Sequence, residues 1–251
     1  MPGAGPSFGC GSNHNAALVA METFFHLNRL VHITAGFIGF FVAPAALLVR
    51  KGGPWHRRWG QVFFGAMVVA GTTAIAAASH YGLTFLLLTG IFSLYLAGFG
   101  YRSLYLKELG RGGRAPLFDW LLAGLGLAVF LATVGYGLWA RNVPAAVFGG
   151  IGVMTTSRQL RGYVRAGTWG REQWLLNHIS GFLGSYIAAV SAFSATSLKF
   201  IPFPYNFLWP SAVGFPVIVW WHRRVRKQFA HGPQPAALEV KIQPEVAGIN
   251  R

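Results

Sequence analysis

The chain has 251 residues, of which 53% are hydrophobic and only 11% charged, and its formal net charge is +15. A soluble globular chain carries about 25% charged residues, so this one cannot cover a water-facing surface. It also holds too much apolar side chain to remain disordered. That leaves an integral membrane protein, whose excess positive charge must be explained by where it sits.

Residues 1–28 lack the basic n-region and the apolar h-region of a cleaved signal peptide, and none is expected. They read as an outer, periplasmic segment. Within it, residues 16–28 either extend the first helix outward or lie along the outer interface as a separate helix. Cys10 is the single cysteine, which excludes an internal disulfide and argues against a thiolate metal site. A membrane-spanning helix takes roughly 20 largely apolar residues. Seven stretches meet or approach that length, at 30–49, 61–80, 83–101, 117–139, 143–157, 174–195 and 207–221. The fifth is the shortest and is rich in glycine. The predicted fold is therefore all-α and polytopic, with seven transmembrane helices occupying 29–227. A tail with Pro233, Pro235 and Pro244, spanning 228–251, reads as a disordered cytoplasmic end.

Seven crossings put the termini on opposite sides, and the basic residues say which. Of 21 Lys and Arg, 18 fall in the first, third and fifth loops and the C-terminal tail, while only Arg29, Arg141 and Lys199 fall on the other side. The positive-inside bias then sets the N-terminus out and the C-terminus in. This topology accounts for the basic balance without nucleic acid as a partner. The bilayer, and anionic lipids of its inner leaflet, are the expected partners, with membrane-protein partners or a homo-oligomer also compatible. Trp55, Trp59, Trp120, Trp169, Trp174, Trp220 and Trp221 fall at predicted inner boundaries and Trp139 and Trp209 at outer ones, where amphipathic rings belong.

Small residues punctuate the spans at Gly36, Gly39, Gly65, Gly71, Gly149, Gly150, Gly152, Gly181, Gly184 and Ala188, and their expected role is close helix packing. Pro44, Pro210 and Pro216 are expected to kink the first and last helices.

Chemistry in such a chain must come from polar groups within the bilayer, where ionisable side chains are costly. His178 lies six residues past Glu172, about 9 Å inward, and Asp119 lies five past Arg114, about 8 Å inward. His56 sits nearer the surface, in the Pro54–Gly60 turn before the second helix. Thr155, Thr156 and Ser157 end the fifth helix at a similar level. These residues converge in depth on the inner face, and Asp119 and His178 are the candidate catalytic pair. Each also has a plain structural role open to it, since Asp119 in a first turn complements the helix dipole. At the outer face His32 and His80 lie at comparable depth on sequential helices, and His26 joins them if the first helix extends outward. Absences matter as well. There is no HExxH, HxxxH, CxxC, GxSxG or phosphate loop, no lysine in the last span for a retinal Schiff base, and no row of arginines for a voltage sensor.

The run His32-Ile33-Thr34-Ala35-Gly36, followed by Arg50 to Gly60 with its His56-Arg57-Arg58-Trp59-Gly60 turn, resembles a widespread family of predicted multi-pass bacterial membrane proteins. Asp119-Trp120, Trp174 to His178, Gly184-Ser185-Tyr186-Ile187-Ala188-Ala189 through Phe193, and Trp209-Pro210 through Pro216 extend the likeness over roughly 30–225. The resemblance implies a multi-pass fold in the bacterial cytoplasmic membrane and marks His32, His56, Asp119 and His178. His26 and His80 lie outside it. The family has no established activity, so no reaction follows.

Three readings of different class remain. The first is a non-catalytic carrier, sensor or assembly subunit with Asp119 and His178 as a proton or ligand site. The second is a redox module in which His32, His80 and His178 serve haem b, exchanging electrons with quinone. The third is a zinc-dependent lipid hydrolase with His56, Asp119 and His178 as ligands of the ion that activates water.

Overall fold

In a computed structural model, residues 10–165 and 168–231 are described, and among them helices are joined by short connections with no strand. The helices are α1 (Cys10–Leu48), α2 (Pro54–His80), α3 (Thr84–Arg102), α4 (Leu117–Trp139), α5 (Val143–Val164), α6 (Gln173–Ser197) and α7 (Tyr205–His231). Two short 3-10 turns, Ser103–Tyr105 and Lys107–Arg111, lead from α3 to α4.

Local chemistry sets the boundaries. Pro54 opens α2, where its missing N–H is one of the unsatisfied donors of a first turn in any case. Gly82, at φ 66°, makes the tight reversal between α2 and α3 that a side chain would strain. The Asn142 side chain accepts from the Ala145 N–H at 3.0 Å and caps α5.

The α4 limits coincide with the expected stretch, and the other six helices run beyond theirs at one end or both. Residues 16–28 continue α1 as one helix, because neither glycine nor proline falls between Ala16 and Asn28 to break it. Pro44, Pro210 and Pro216 lie inside α1 and α7, which continue through them. His56 is not in a turn before α2 but in its first turn. Thr155, Thr156 and Ser157 do not end α5, which runs seven residues past Ser157 to Val164. The last helix reaches His231 and so takes in Lys227, as well as the first residues of the segment expected to be disordered. The rest of that tail lies outside the described residues.

Among the described residues five helices are long and apolar enough to cross a membrane, over Asn15–Leu48, Pro54–His80, Thr84–Tyr105, Leu117–Trp139 and Gln173–Ser197. The other two, α5 and α7, carry Arg158 and Arg161, and His222 to Lys227, within their length. Large apolar side chains such as Phe37, Phe41, Leu121, Leu125 and Val213 face outward.

Helices α1, α2, α3 and α6 pack as one group, α7 packs on α6, and the α4–α5 hairpin joins through α3. Phe92, Leu96, Phe130, Phe148, Ala188 and Phe207 form the main core between α3, α4, α5, α6 and α7. A second core of Ala43, Phe63, Met67 and Ala97 fills the α1–α2–α3 side, with Phe182 and Tyr186 packed on it. Helices α3 and α6 cross with backbones in contact. A Cβ on Gly181 would overlap the backbone of Gly100, and one on Gly100 would stand 2.6 Å from the Phe182 ring. Only glycine at both positions permits this approach.

Candidate functional site at the basic end

The close α3–α6 crossing sets up the site. It brings the start of α6 against the end of α3, where His178 Nδ1 lies 3.1 Å from the carbonyl oxygen of Gly100. On the neighbouring pair of helices, His56 at the start of α2 holds its Nδ1 3.0 Å from the carbonyl oxygen of Ala46, at the end of α1. A carbonyl only accepts, so in both rings Nδ1 carries the proton, and in the neutral ring Nε2 keeps its lone pair. The ring centroids stand 6.4 Å apart, edge to face. The Phe182 ring lies 4.6 Å from that of His178 and packs on Phe63 behind it. Lys51, in the α1–α2 loop, is within electrostatic reach of His56. Its ammonium donates to the last carbonyls of α1, including that of Leu47, and burial lowers its pKa from the ordinary lysine value.

Asp119 lies at the same end but belongs to a different cluster. Its carboxylate is fully buried and accepts two bonds from one guanidinium, Arg102 Nε at 2.9 Å and Nη2 at 2.6 Å. This fork ties the end of α3 to the first turn of α4. Arg102 in turn lies over the rings of Tyr105 and Phe118. Beside the pair, Tyr95 donates to Gln159 Oε1 at 2.6 Å, and Gln159 Nε2 donates to the Tyr163 hydroxyl at 2.5 Å, linking α3 to α5 through a buried amide.

Of the three residues expected to share a metal, His56 and His178 therefore meet, whereas Asp119 is held by Arg102. Among the described residues no group of three His, Cys, Asp or Glu is arranged to hold a metal ion. The three histidines considered for haem are not brought together either. His32 Nδ1 lies 2.9 Å from the Ala70 carbonyl and 3.2 Å from Thr73 Oγ1, on the middle of α2. One turn before it, buried Asn28 donates to the Thr73 carbonyl at 3.0 Å. His80 is exposed at the far end of α2 and stacks on Phe25 at 3.8 Å. His80 and His178 lie near opposite ends of α3, which at 1.5 Å per residue between Thr84 and Gly100 separates them by about 24 Å. His26 is exposed.

Two groups of the site were not singled out in the sequence. Arg102 reads there as one more topology charge, although its position at the end of an apolar span before a buried acid is a retrospective signal. His222 lies in the basic run after the last span. Its Nε2 stands 3.2 Å from the Leu176 carbonyl and 2.8 Å from Ser180 Oγ, clipping α7 to α6.

No protein-family profile matches the chain, and neither a curated protein nor a solved structure matches it.

Proposed function

We propose that this chain is a non-catalytic carrier or sensor of the bacterial cytoplasmic membrane. In this reading all seven helices cross, the N-terminus is outside, the C-terminus is inside, and the His56–His178 pair near the inner face is the working group. The likeness of its histidine-bearing segments to the multi-pass bacterial family is in keeping with this, as is the 18-to-3 partition of basic residues. The observation that carries the proposal is the pairing itself. Two imidazoles 6.4 Å apart, each oriented by a backbone carbonyl of a neighbouring helix, present two Nε2 lone pairs and no carboxylate. Such a pair takes up protons as one coupled unit. A proton arriving there places charge between the α1–α2 and α3–α6 seams, and that changes the balance holding the seams closed.

Histidine NMR on the ¹⁵N-labelled protein in lipid nanodiscs, over about pH 4 to 8, tests this. Coupled titration of His56 and His178 is expected, with His178→Asn turning the His56 curve into a simple single-site one. Independent single-site curves that ignore each other's removal would sink it.

A metal reading retains one supporting observation. A ring that donates Nδ1–H to a backbone carbonyl and keeps Nε2 bare is the arrangement of a metal-ligating histidine. For zinc, the ligands beyond His56 and His178 would have to come from outside the three residues first considered. For haem b, His178 would need His56 rather than His32 or His80 as its companion. Iron and zinc per purified chain, read by elemental mass spectrometry, decide whether this reading displaces the first.

A further inference from the structure

On the other flank of α6 from His178, a cavity of about 450 Å³ opens between α5, α6 and α7. That volume lies within the range of small-molecule sites. Its wall is unusual in charge. Arg158 and Arg161 on α5 and Arg165 just past its end follow one another at i, i+3 and i+7, and Arg226 faces them from α7. No Asp or Glu lines it, and none of these four arginines forms an ion pair or lies over an aromatic ring among the described residues. Some other cations at this end do find such a partner. Arg102 holds Asp119, Arg111 holds Glu108, and Lys51, Arg58, Lys107 and Arg224 lie over tryptophan rings.

The floor supplies neutral donors. Gln173 donates its amide to Asn177 Oδ1 at 2.9 Å, which leaves the Asn177 amide N–H groups unclaimed by that bond. His222 is clipped to Ser180 at the same level, with Arg158 and Arg226 both in electrostatic reach of the ring. Topology alone asks for basic residues on this side. It does not ask for four guanidinium groups around one concavity without an acid among them.

We infer that this cavity binds a phosphate-bearing anion, whether the phosphate of a lipid headgroup or a free phosphorylated solute. The planar guanidinium fork matches two phosphate oxygens at once, and several forks around one wall suit a group carrying three or more. The site is separate from the histidine pair and stands whether or not that pair takes up protons.

The test uses the full chain purified in a neutral detergent. Inorganic phosphate and glycerol phosphate are titrated calorimetrically. In parallel, native mass spectrometry counts phosphatidylglycerol retained from nanodiscs made with phosphatidylcholine. Saturable binding of either soluble anion, weakened by about tenfold or more in Arg158→Gln/Arg226→Gln, assigns a free phosphorylated ligand. Retained phosphatidylglycerol that phosphate does not displace, and that the double variant loses, assigns a lipid headgroup. Arg223→Gln, on α7 but outside the cavity wall, is expected to bind as the unmodified protein does. If the double variant fails to fold, the single variants Arg158→Gln and Arg226→Gln carry the same comparison. Absence of binding to all three probes overturns the inference, as does an equal loss in Arg223→Gln.

Discussion

The carboxylate of Asp119 is held on both oxygens by one guanidinium. It is fully buried, while the Arg102 side chain that meets it is 28% exposed. Taking a carboxylate out of water is repaid only by good geometry, which the two-bond fork supplies. Removing one partner should therefore cost more than the pair is worth. Arg102→Ala, which strands the acid, is expected to destabilise the folded state by about 3–5 kcal/mol, whereas an apolar pair such as Arg102→Met/Asp119→Leu recovers most of the loss. Unfolding midpoints in detergent for the two variants provide the check, and equal losses in both would contradict this account. The sequence shows Asp119 to be an anomaly, one acid inside an apolar segment, but not why it is there. Its counter-ion stands 17 residues away on another helix, and from the chain alone His178 has as good a claim to it.

At the scale of elements, glycine shows how the same residue serves different ends. Gly36, Gly65 and Gly150 have open space where a Cβ would stand, although sequence pattern groups them with the packing glycines. At Gly152 a Cβ would strike the Phe130 ring, and at Gly162 the ring of Trp169. Gly181 is stricter than these two, because its Cβ would meet the backbone of Gly100 rather than a side chain that can move. Gly181→Val is expected to wedge α3 from α6, cost at least about 1–3 kcal/mol, and displace His178 from Gly100. Gly36→Ala should be neutral or stabilise by up to about 1 kcal/mol through helix propensity. Thermal unfolding of the two variants side by side tests the contrast. Helix existence was legible throughout, because an apolar run of this length has few alternatives in a bilayer. Helix ends were less so. Beyond the apolar stretch the chain continues as helix through basic and amide residues, as α5 does from Arg158 to Val164, and hydropathy carries no signal for that.

For the whole molecule, charge and packing divide the chain in the same way. The ends that carry most of the basic residues also hold the His56–His178 pair, the Arg102–Asp119 fork and the arginine-walled cavity. The proposed orientation puts that end inside. In a Cys10→Ser background, Arg111→Cys should react with a membrane-impermeant maleimide only after the cells are opened, and Arg141→Cys in intact cells. The reverse pattern would invert the assignment and place the cavity and the histidine pair on the outer face.

The helical class, the approximate number and order of apolar segments, and the clustering of basic residues follow from the chain alone, because each is a property of composition along one dimension. Depth was readable for the same reason, since residues at a given distance from a boundary charge lie at a given level, and that sufficed to put Asp119, His56 and His178 near one end. Which residues at one level face each other comes from the packing of the helices. Rotation of each helix about its axis and the choice of neighbour are set by close contacts such as Gly100 with Gly181, and these determine that His178 meets His56, that Asp119 meets Arg102, and that four arginines from α7 and the end of α5 surround one cavity. Such pairings depend on the angle around each helix, which a pattern of apolar residues nearly uniform on all sides does not encode.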